Sequence, residues 1–358
     1  MSGLDLAASS LEARARTRPI AAWLLVCCAM VFAMVVIGGI TRLTHSGLSI
    51  AEWRPIMGAI PPTNEAEWQA QFELYRATPQ YRLENAGMTL DEFKTIFWWE
   101  YVHRLWGRLI GVVFLAPFLY FLWRRRIERS LAHKLALLFL LGALQGALGW
   151  FMVESGLESG TSVSQYRLAA HLAAALVIYG YMLWLALDLL FPRGPGPLAA
   201  PERRARTQSA FLLAWIFLVA LSGAFMAGLH AGLIYNSFPL MDGRLIPLGL
   251  FAARPWFASF FADVTTVQFD HRVLALLTLL FVILFRLSLR GLPLAPRARR
   301  AADLLALMVL AQVGLGIATL VLVVPIPLAA CHQAGALVLF SLALWTTREL
   351  GNPSAEAP

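Results

Sequence analysis

Apolar residues along this chain come in long blocks, with the polar ones gathered between them. Eight blocks carry few charges, at approximately 20–40, 98–123, 134–154, 167–191, 208–229, 268–285, 302–324 and 327–346. A helix rises about 1.5 Å per residue, so about 20 apolar residues cross the hydrocarbon of a bilayer. Every block is long enough, the sixth and eighth being the shortest. The first follows Arg14, Arg16 and Arg18 as a signal peptide would. Its apolar run exceeds the roughly 7–15 residues of a signal core, so it reads as an uncleaved anchor. Composition agrees: 59% of the 358 residues are hydrophobic and 14% charged, against roughly 45–50% and about 25% in soluble domains. The expected fold is an all-α membrane protein of eight transmembrane helices, with the lipid bilayer as its main surroundings.

A net charge of +8 invites a nucleic-acid reading, but the basic residues sit in short clusters between blocks. Arg124, Arg125, Arg126 and Arg129, then Arg203, Arg204 and Arg206, then Arg297, Arg299 and Arg300 fall on the side of the N-terminus. By the positive-inside rule that side is cytoplasmic, and an even number of spans returns the C-terminus there. The charge is topogenic, and no nucleic-acid partner is expected. The opposite face carries two long loops, about 41–97 and 230–267, rich in Trp, Pro and Gly. In the first, Glu65–Tyr75 has the pattern of a short helix lying on the membrane surface. Phe97-Trp98-Trp99 and Trp256-Phe257 read as interface belts. Cys27, Cys28 and Cys331 all lie in apolar blocks and form neither a disulfide framework nor a spaced metal motif.

The two halves echo one another in order. Thr44-His45-Ser46-Gly47-Leu48 matches Leu229-His230-Ala231-Gly232-Leu233, and Val102-His103-Arg104 matches Asp270-His271-Arg272. Gln145-Gly146-Ala147-Leu148-Gly149 matches Gln312-Val313-Gly314-Leu315-Gly316, and Ala170-His171-Leu172 matches Cys331-His332-Gln333. This is the mark of a tandem duplication. Units of four spans enter the membrane from the same side, so the expected architecture is two tandem four-helix bundles related by a pseudo-twofold axis along the membrane normal. The chain divides into a cytoplasmic tail 1–19, a first half 20–191 with outer loop 41–97, a linker 192–207, a second half 208–347 and a tail 348–358.

Ionisable groups inside spans are expensive and mark function. His103, His171, His271 and His332 each lie about five residues past the outer end of an even-numbered span, so four imidazoles share one level. Two facing helices then offer one histidine each to a metal between them, and neutral imidazole is a strong ligand for haem iron. This gives two pockets, His103 with His171 and His271 with His332. The competing reading is plain hydrogen bonding between helices. Zinc fits less well, since it takes four ligands, or three and water, where only pairs are offered. Gly107, Gly111, Gly314, Gly316 and Gly335 would let a flat macrocycle approach the helices, although such glycines also serve helix packing.

Chemistry separates the halves. Glu100 stands three residues before His103 on the same helix face, whereas Gln268 takes that place before His271. A carboxyl exchanges protons and an amide does not, so the first half is equipped for acid–base work and the second for holding a ligand. The alternative for Glu100 is an i,i+4 pair with Arg104. Arg42, Arg54, Arg104 and Arg272 are candidates for haem propionates or for interfacial anchoring. His45 and His230 stand at equivalent places at the outer mouth, as pocket walls or as satisfied loop residues. His133 lies in a basic loop and carries no role.

These residues resemble the haem A synthase family, which makes the haem of aa3-type terminal oxidases. The resemblance rests on Gly38-Gly39-Ile40-Thr41-Arg42-Leu43-Thr44 with Ser46-Gly47-Leu48-Ser49, on Glu100-Tyr101-Val102-His103-Arg104 with Gly107-Arg108, and on the three later histidines. It covers nearly all of residues 20–347. The long first outer loop is similar to the proteobacterial and mitochondrial branch; the paired outer-loop cysteines of the other branch have no counterpart here. The resemblance implies oxidation of the C8 methyl of haem O to a formyl group by two successive hydroxylations. It implies His103 and His171 as ligands of the substrate haem O, Glu100 as the catalytic group, and His271 and His332 as ligands of a resident haem b. A bis-histidine substrate iron has no vacant position for dioxygen, which favours oxidation of the methyl with attack by water. It further implies haem O synthase as a partner, an electron donor or acceptor that the chain does not identify, and a bacterial inner membrane location with the haem sites near the periplasmic side. Oligomeric state, a homo-oligomer included, is not fixed by the sequence. The rival classes are a quinone-linked dihaem cytochrome b, which needs no Glu100 in one half alone, and a haem transporter, which would tolerate Glu100→Gln.

Overall fold

The computed structural model describes residues 3–52, 57–192, 194 and 196–352. Among these the chain is helical, with no strand beyond an isolated bridge between Met241 and Arg244. The helices are α1 (Gly3–Leu43), α2 (Glu65–Arg76), α3 (Pro79–Leu83), α4 (Leu90–Trp123), α5 (Arg129–Ser159), α6 (Gln165–Leu190), α7 (Ala200–Gly228), α8 (Ser259–Ala262), α9 (Val264–Ser288), α10 (Pro296–Val321) and α11 (Ile326–Glu349). Eight of them, α1, α4, α5, α6, α7, α9, α10 and α11, are long and apolar enough to cross a membrane.

Helix α7 starts eight residues before its apolar block, at Ala200, and α4 does the same, at Leu90 rather than 98. Thr89 and Glu92 form a capping box there: the Thr89 hydroxyl accepts from the Glu92 N–H, and the Glu92 carboxylate accepts from the Thr89 N–H at 2.8 Å. The 34 residues that follow make a helix of about 51 Å, well beyond the hydrocarbon thickness, so one end projects. Helix α2 packs on that end. Its apolar stripe, Phe72 and Tyr75, meets Phe93 and Phe97 in an aromatic cluster, while Glu65 and Glu67 stay exposed. The surface-helix expectation is met in residue range, but the apolar side faces protein.

Helix neighbours form two matching circuits. In the first, α1 touches α4, α4 touches α5, α5 touches α6, and α6 returns to α1; in the second, α7, α9, α10 and α11 repeat that cycle. The circuits meet where α1 and α6 lie against α11 and α7. Gln333 donates from α11 to the Val35 carbonyl at 2.8 Å, Tyr179 and Ser341 hydroxyls bond at 2.8 Å, and buried Arg348 reaches Asp188 at 3.2 Å.

Packing is uneven along the helices. The main apolar core draws on Ile20, Leu24, Phe118, Leu135, Leu185, Leu212, Phe285, Leu305 and Leu344. These residues come early in the first, third, fifth and seventh spans and late in the others, which places them all at one end of the bundle. The four histidines occupy the other end.

Candidate functional site

Each of the four histidines lies against a glycine of a neighbouring helix. A Cβ on Gly149 would come within 3.1 Å of His171 Cε1, on Gly223 within 3.3 Å of His271 Cε1, and on Gly316 within 2.9 Å of His332 Cε1. Gly38 does the same for His103, but meets it at Nε2, 3.3 Å away. Bare backbone thus forms the shelf on which every imidazole rests. Gly316 was legible as a close-approach glycine; Gly38 and Gly149 are the same device, seen in the sequence only in a resemblance motif and in a repeat, and Gly223 was not singled out at all. Gly107 approaches Met34, Gly335 meets Gln312 and Met308, and Gly111 and Gly314 have nothing within 4 Å.

The structure brings His271 and His332 together, their ring centroids 6.4 Å apart and their planes at 89°. Two imidazole nitrogens on one metal, at about 2 Å each, put the ring centres roughly 6 Å apart, so this spacing accommodates an ion between them. His103 and His171 lie within electrostatic range of each other. Among the described residues no group of three or more His, Cys, Asp and Glu is placed to hold a bare metal ion. A pair of axial nitrogens suits an iron whose other four ligands come from a macrocycle. Glycine shelves and the spacing of the second pair both fit such a group.

Outer-shell contacts differ between the pairs. His271 Nδ1 lies 2.8 Å from Ser222 Oγ, and His332 Nδ1 lies 3.1 Å from Gln312 Nε2. Gln312 and Gln145 each donate to the main-chain carbonyl of the facing histidine at 2.9 Å, His332 and His171 respectively. His171 Nδ1 is buried without a partner.

Glu100 is 2% exposed and its carboxylate is saturated. Oε1 accepts from Arg104 Nη2 at 2.6 Å and Nε at 3.0 Å; Oε2 accepts from the Ser49 hydroxyl and the Ile50 N–H, both at 2.8 Å. The i,i+4 pair with Arg104 is therefore present, and Ser49 and Ile50 are partners the spacing did not disclose. Arg104 also donates to the Ile50 and Glu52 carbonyls at 3.0 and 3.2 Å. In the second half Arg272 binds the matching carbonyls, Tyr235 at 2.6 Å and Ser237 at 2.8 Å, and Gln268 donates to Tyr235 at 3.2 Å. Both arginines clamp an outer loop onto a span; the sequence offers propionate contact or interfacial anchoring for them. The loop is held by a carboxylate in one half and by an amide in the other.

At the mouth, His45 and His230 lie against one another. Their rings stack 5.4 Å apart, 2° from parallel, one from each half, on backbone with φ of 55° and 53°. Gln80 donates to the His45 carbonyl at 3.1 Å. His230 titrates below the ordinary imidazole value, first because it is half-buried and then because of the Arg42 and His45 charges. Arg42 has a buried Nη2 without a hydrogen-bond partner, so it remains the arginine best suited to an incoming carboxylate. Arg54 lies outside the described residues.

The family model described as cytochrome oxidase assembly protein, COX15-CtaA, matches residues 21–344. The chain is 56% identical over 334 residues to the haem A synthase of Nitrosospira multiformis, covering 93% of this chain and 94% of the relative. It is 53% identical over 331 residues to the haem A synthase of Parvibaculum lavamentivorans, covering 92% and 94%. Haem A synthase COX15 of Homo sapiens is 45% identical over 348 residues, covering 95% and 85%. With a family model spanning most of its length and relatives this similar end to end, the chain belongs to the COX15-CtaA family of cytochrome oxidase assembly proteins.

Proposed function

We propose that this multi-pass membrane protein is a haem A synthase: an oxidoreductase that converts the C8 methyl of haem O to a formyl group by two successive hydroxylations. With water as the oxygen source, each hydroxylation removes two electrons and two protons from the carbon and its attacking water, the electrons passing to an external electron acceptor and the protons to water, and the gem-diol left by the second hydroxylation loses water. In this reading His103 and His171 hold the substrate haem O, and His271 and His332 hold a resident haem b. That resident group, when bound, supplies one-electron redox chemistry.

The observation that carries the reading is the difference at one helix position. Glu100, one turn before His103, is a buried carboxylate aimed by four donors, and its counterpart Gln268 is an amide. A carboxylate at this place stabilises positive charge developing on the substrate's reacting carbon and accepts a proton from attacking water. Arg104 and Ser49 orient it. Either role requires a bond to Ser49, Ile50 or Arg104 to yield as the proton arrives. Arg42 receives a propionate.

Matching helix circuits and glycine shelves support a tandem duplication with a pseudo-twofold axis, divided as 20–191 and 208–347. The basic clusters support cytoplasmic termini and haem sites near the periplasmic face of a bacterial inner membrane. Haem O synthase is the natural supplier, because a hydrophobic farnesylated substrate passes most readily between membrane enzymes.

The test is co-expression with a haem O source and analysis of extracted pigments. Wild type yields haem A; Glu100→Gln lowers conversion by about 10²- to 10⁴-fold while both low-spin haems stay bound. Full conversion by Glu100→Gln removes the catalytic assignment, and absence of haem A and of any hydroxylated intermediate from wild type removes the function.

A further inference from the structure

The glycine shelves align the two halves residue by residue. Gly38 and Gly223 occupy the same place under His103 and His271, so the residues just before them, Ile37 and Ser222, are counterparts. Ser222 has one hydroxyl proton, and it donates that proton to the Val219 carbonyl at 2.8 Å. With that proton on Val219, the 2.8 Å contact with His271 runs from the ring N–H to the hydroxyl oxygen. That arrangement puts the proton on Nδ1 and the lone pair on Nε2, the tautomer a metal ligand needs. The Ile37 side chain can accept nothing. Among the described residues the His103 ring has no hydrogen-bond partner, and it is turned so that Nε2 sits over its glycine.

The later histidines each meet a glutamine. Gln312 Nε2 lies 3.1 Å from His332 Nδ1 and donates to the His332 carbonyl at 2.9 Å, as Gln145 does to the His171 carbonyl, so neither amide supplies an acceptor to a ring N–H. His171 Nδ1 has no partner, although Gln145 stands at the corresponding place.

We infer that Ser222 is the positioning residue that makes the second pocket a retaining site, and that Ile37 at the matching place leaves the first pocket a releasing one. This rests on the proposed division between resident and substrate haem and gives it a physical cause. An outer-shell acceptor orients a ligand imidazole and raises its basicity, and losing one typically costs 10- to 100-fold in metal affinity. A resident cofactor has to stay through many turnovers, whereas a substrate haem has to leave as product. Equal grip in both halves would defeat one requirement or the other.

The experiment measures haem transfer from the purified full-length protein, loaded with haem b, to an excess of apo-globin, followed by absorbance. Ser222→Ala is expected to speed loss of the slowly released haem at least about 10-fold, and Ser222→Thr to restore retention. Ile37→Ser is expected to slow release from the other pocket by a similar factor. Circular dichroism and gel filtration verify that each variant is folded. A release rate within twofold of wild type in either Ser222→Ala or Ile37→Ser, with the bis-histidine spectrum intact, overturns the inference. His271→Ala and His103→Ala separate it from the reading beneath. If the retained haem survives His271→Ala and disappears in His103→Ala, the resident pocket has been assigned to the wrong half. If it disappears in His271→Ala while Ser222→Ala changes nothing, only the role of Ser222 fails.

Discussion

Gly316→Ala is the most exacting test of the shelf. The new Cβ would stand 2.9 Å from His332 Cε1 and 3.5 Å from both ring nitrogens. Ordinary carbon–carbon contact begins near 3.5 Å, so the ring or the helix must give by about 0.6 Å. Metal–ligand distances tolerate only about 0.2 Å, so a ring displaced that far no longer meets an iron shared with His271. Overpacking of this size costs about 1–3 kcal/mol, which corresponds to roughly 5- to 150-fold weaker retention. The assay is haem per polypeptide in the purified protein, before and after extended washing, set against Gly314→Ala. Gly314 belongs to the same helix and has nothing within 4 Å of its added Cβ, so it controls for any general effect on α10. Equal haem content in Gly316→Ala and wild type, or equal loss in both variants, would refute the argument that the glycine serves the ring. Gly223→Ala, with 3.3 Å to His271, should lose less haem than Gly316→Ala.

Other positions give sharper local readouts. Arg104→Met leaves Glu100 charged and buried without its partner, which costs about 3–5 kcal/mol; the melting temperature should fall, and hydrogen exchange should rise at Ile50 and Glu52, whose carbonyls Arg104 holds. Gly39→Ala would drive a Cβ into the Gln333 amide, which bonds to Val35 across the two halves, so it should lower thermal stability while leaving His103 spectroscopy unaltered. For His230, the folded protein resists protonation more than the unfolded chain does. As pH falls below the usual imidazole value of 6.5, the unfolded state takes up a proton first and stability drops, until the lowered folded value is passed. Denaturation curves across that interval should flatten in His230→Gln; an unchanged slope would show that the His45–His230 stack contributes nothing to acid sensitivity.

Much of this architecture was legible because its causes are local. A block of twenty apolar residues is a span wherever it occurs, and a histidine five residues inside one is conspicuous because burying it is costly. The start of α4 was missed for a related reason: Asp91, Glu92 and Lys94 look like loop, but a capping box and an aromatic partner in α2 continue the helix beyond the membrane. Periodicity reports apolar faces well and capping chemistry poorly.

What the sequence concealed is pairwise and distant. Ser49 and Glu100 are 51 residues apart, and no spacing rule joins them until α1 turns back and its outgoing loop crosses α4. Arginine is an ambiguous residue at an outer mouth, since a propionate and a loop carbonyl both satisfy it. The geometry spends Arg104 and Arg272 on carbonyls of matching residues, Ile50 and Glu52 against Tyr235 and Ser237, which leaves Arg42 for an anion. The proposed duplication supplies a means to separate scaffold from chemistry. Contacts that recur in both halves, the shelves and the loop clamps, hold the fold. Contacts that differ, Glu100 against Gln268 and Ser222 against Ile37, are where identical halves were made to do different work. On that basis the exchange Glu100→Gln should bring the first half closer to the second in chemistry without altering its packing, whereas Ile37→Ser should do so in grip alone.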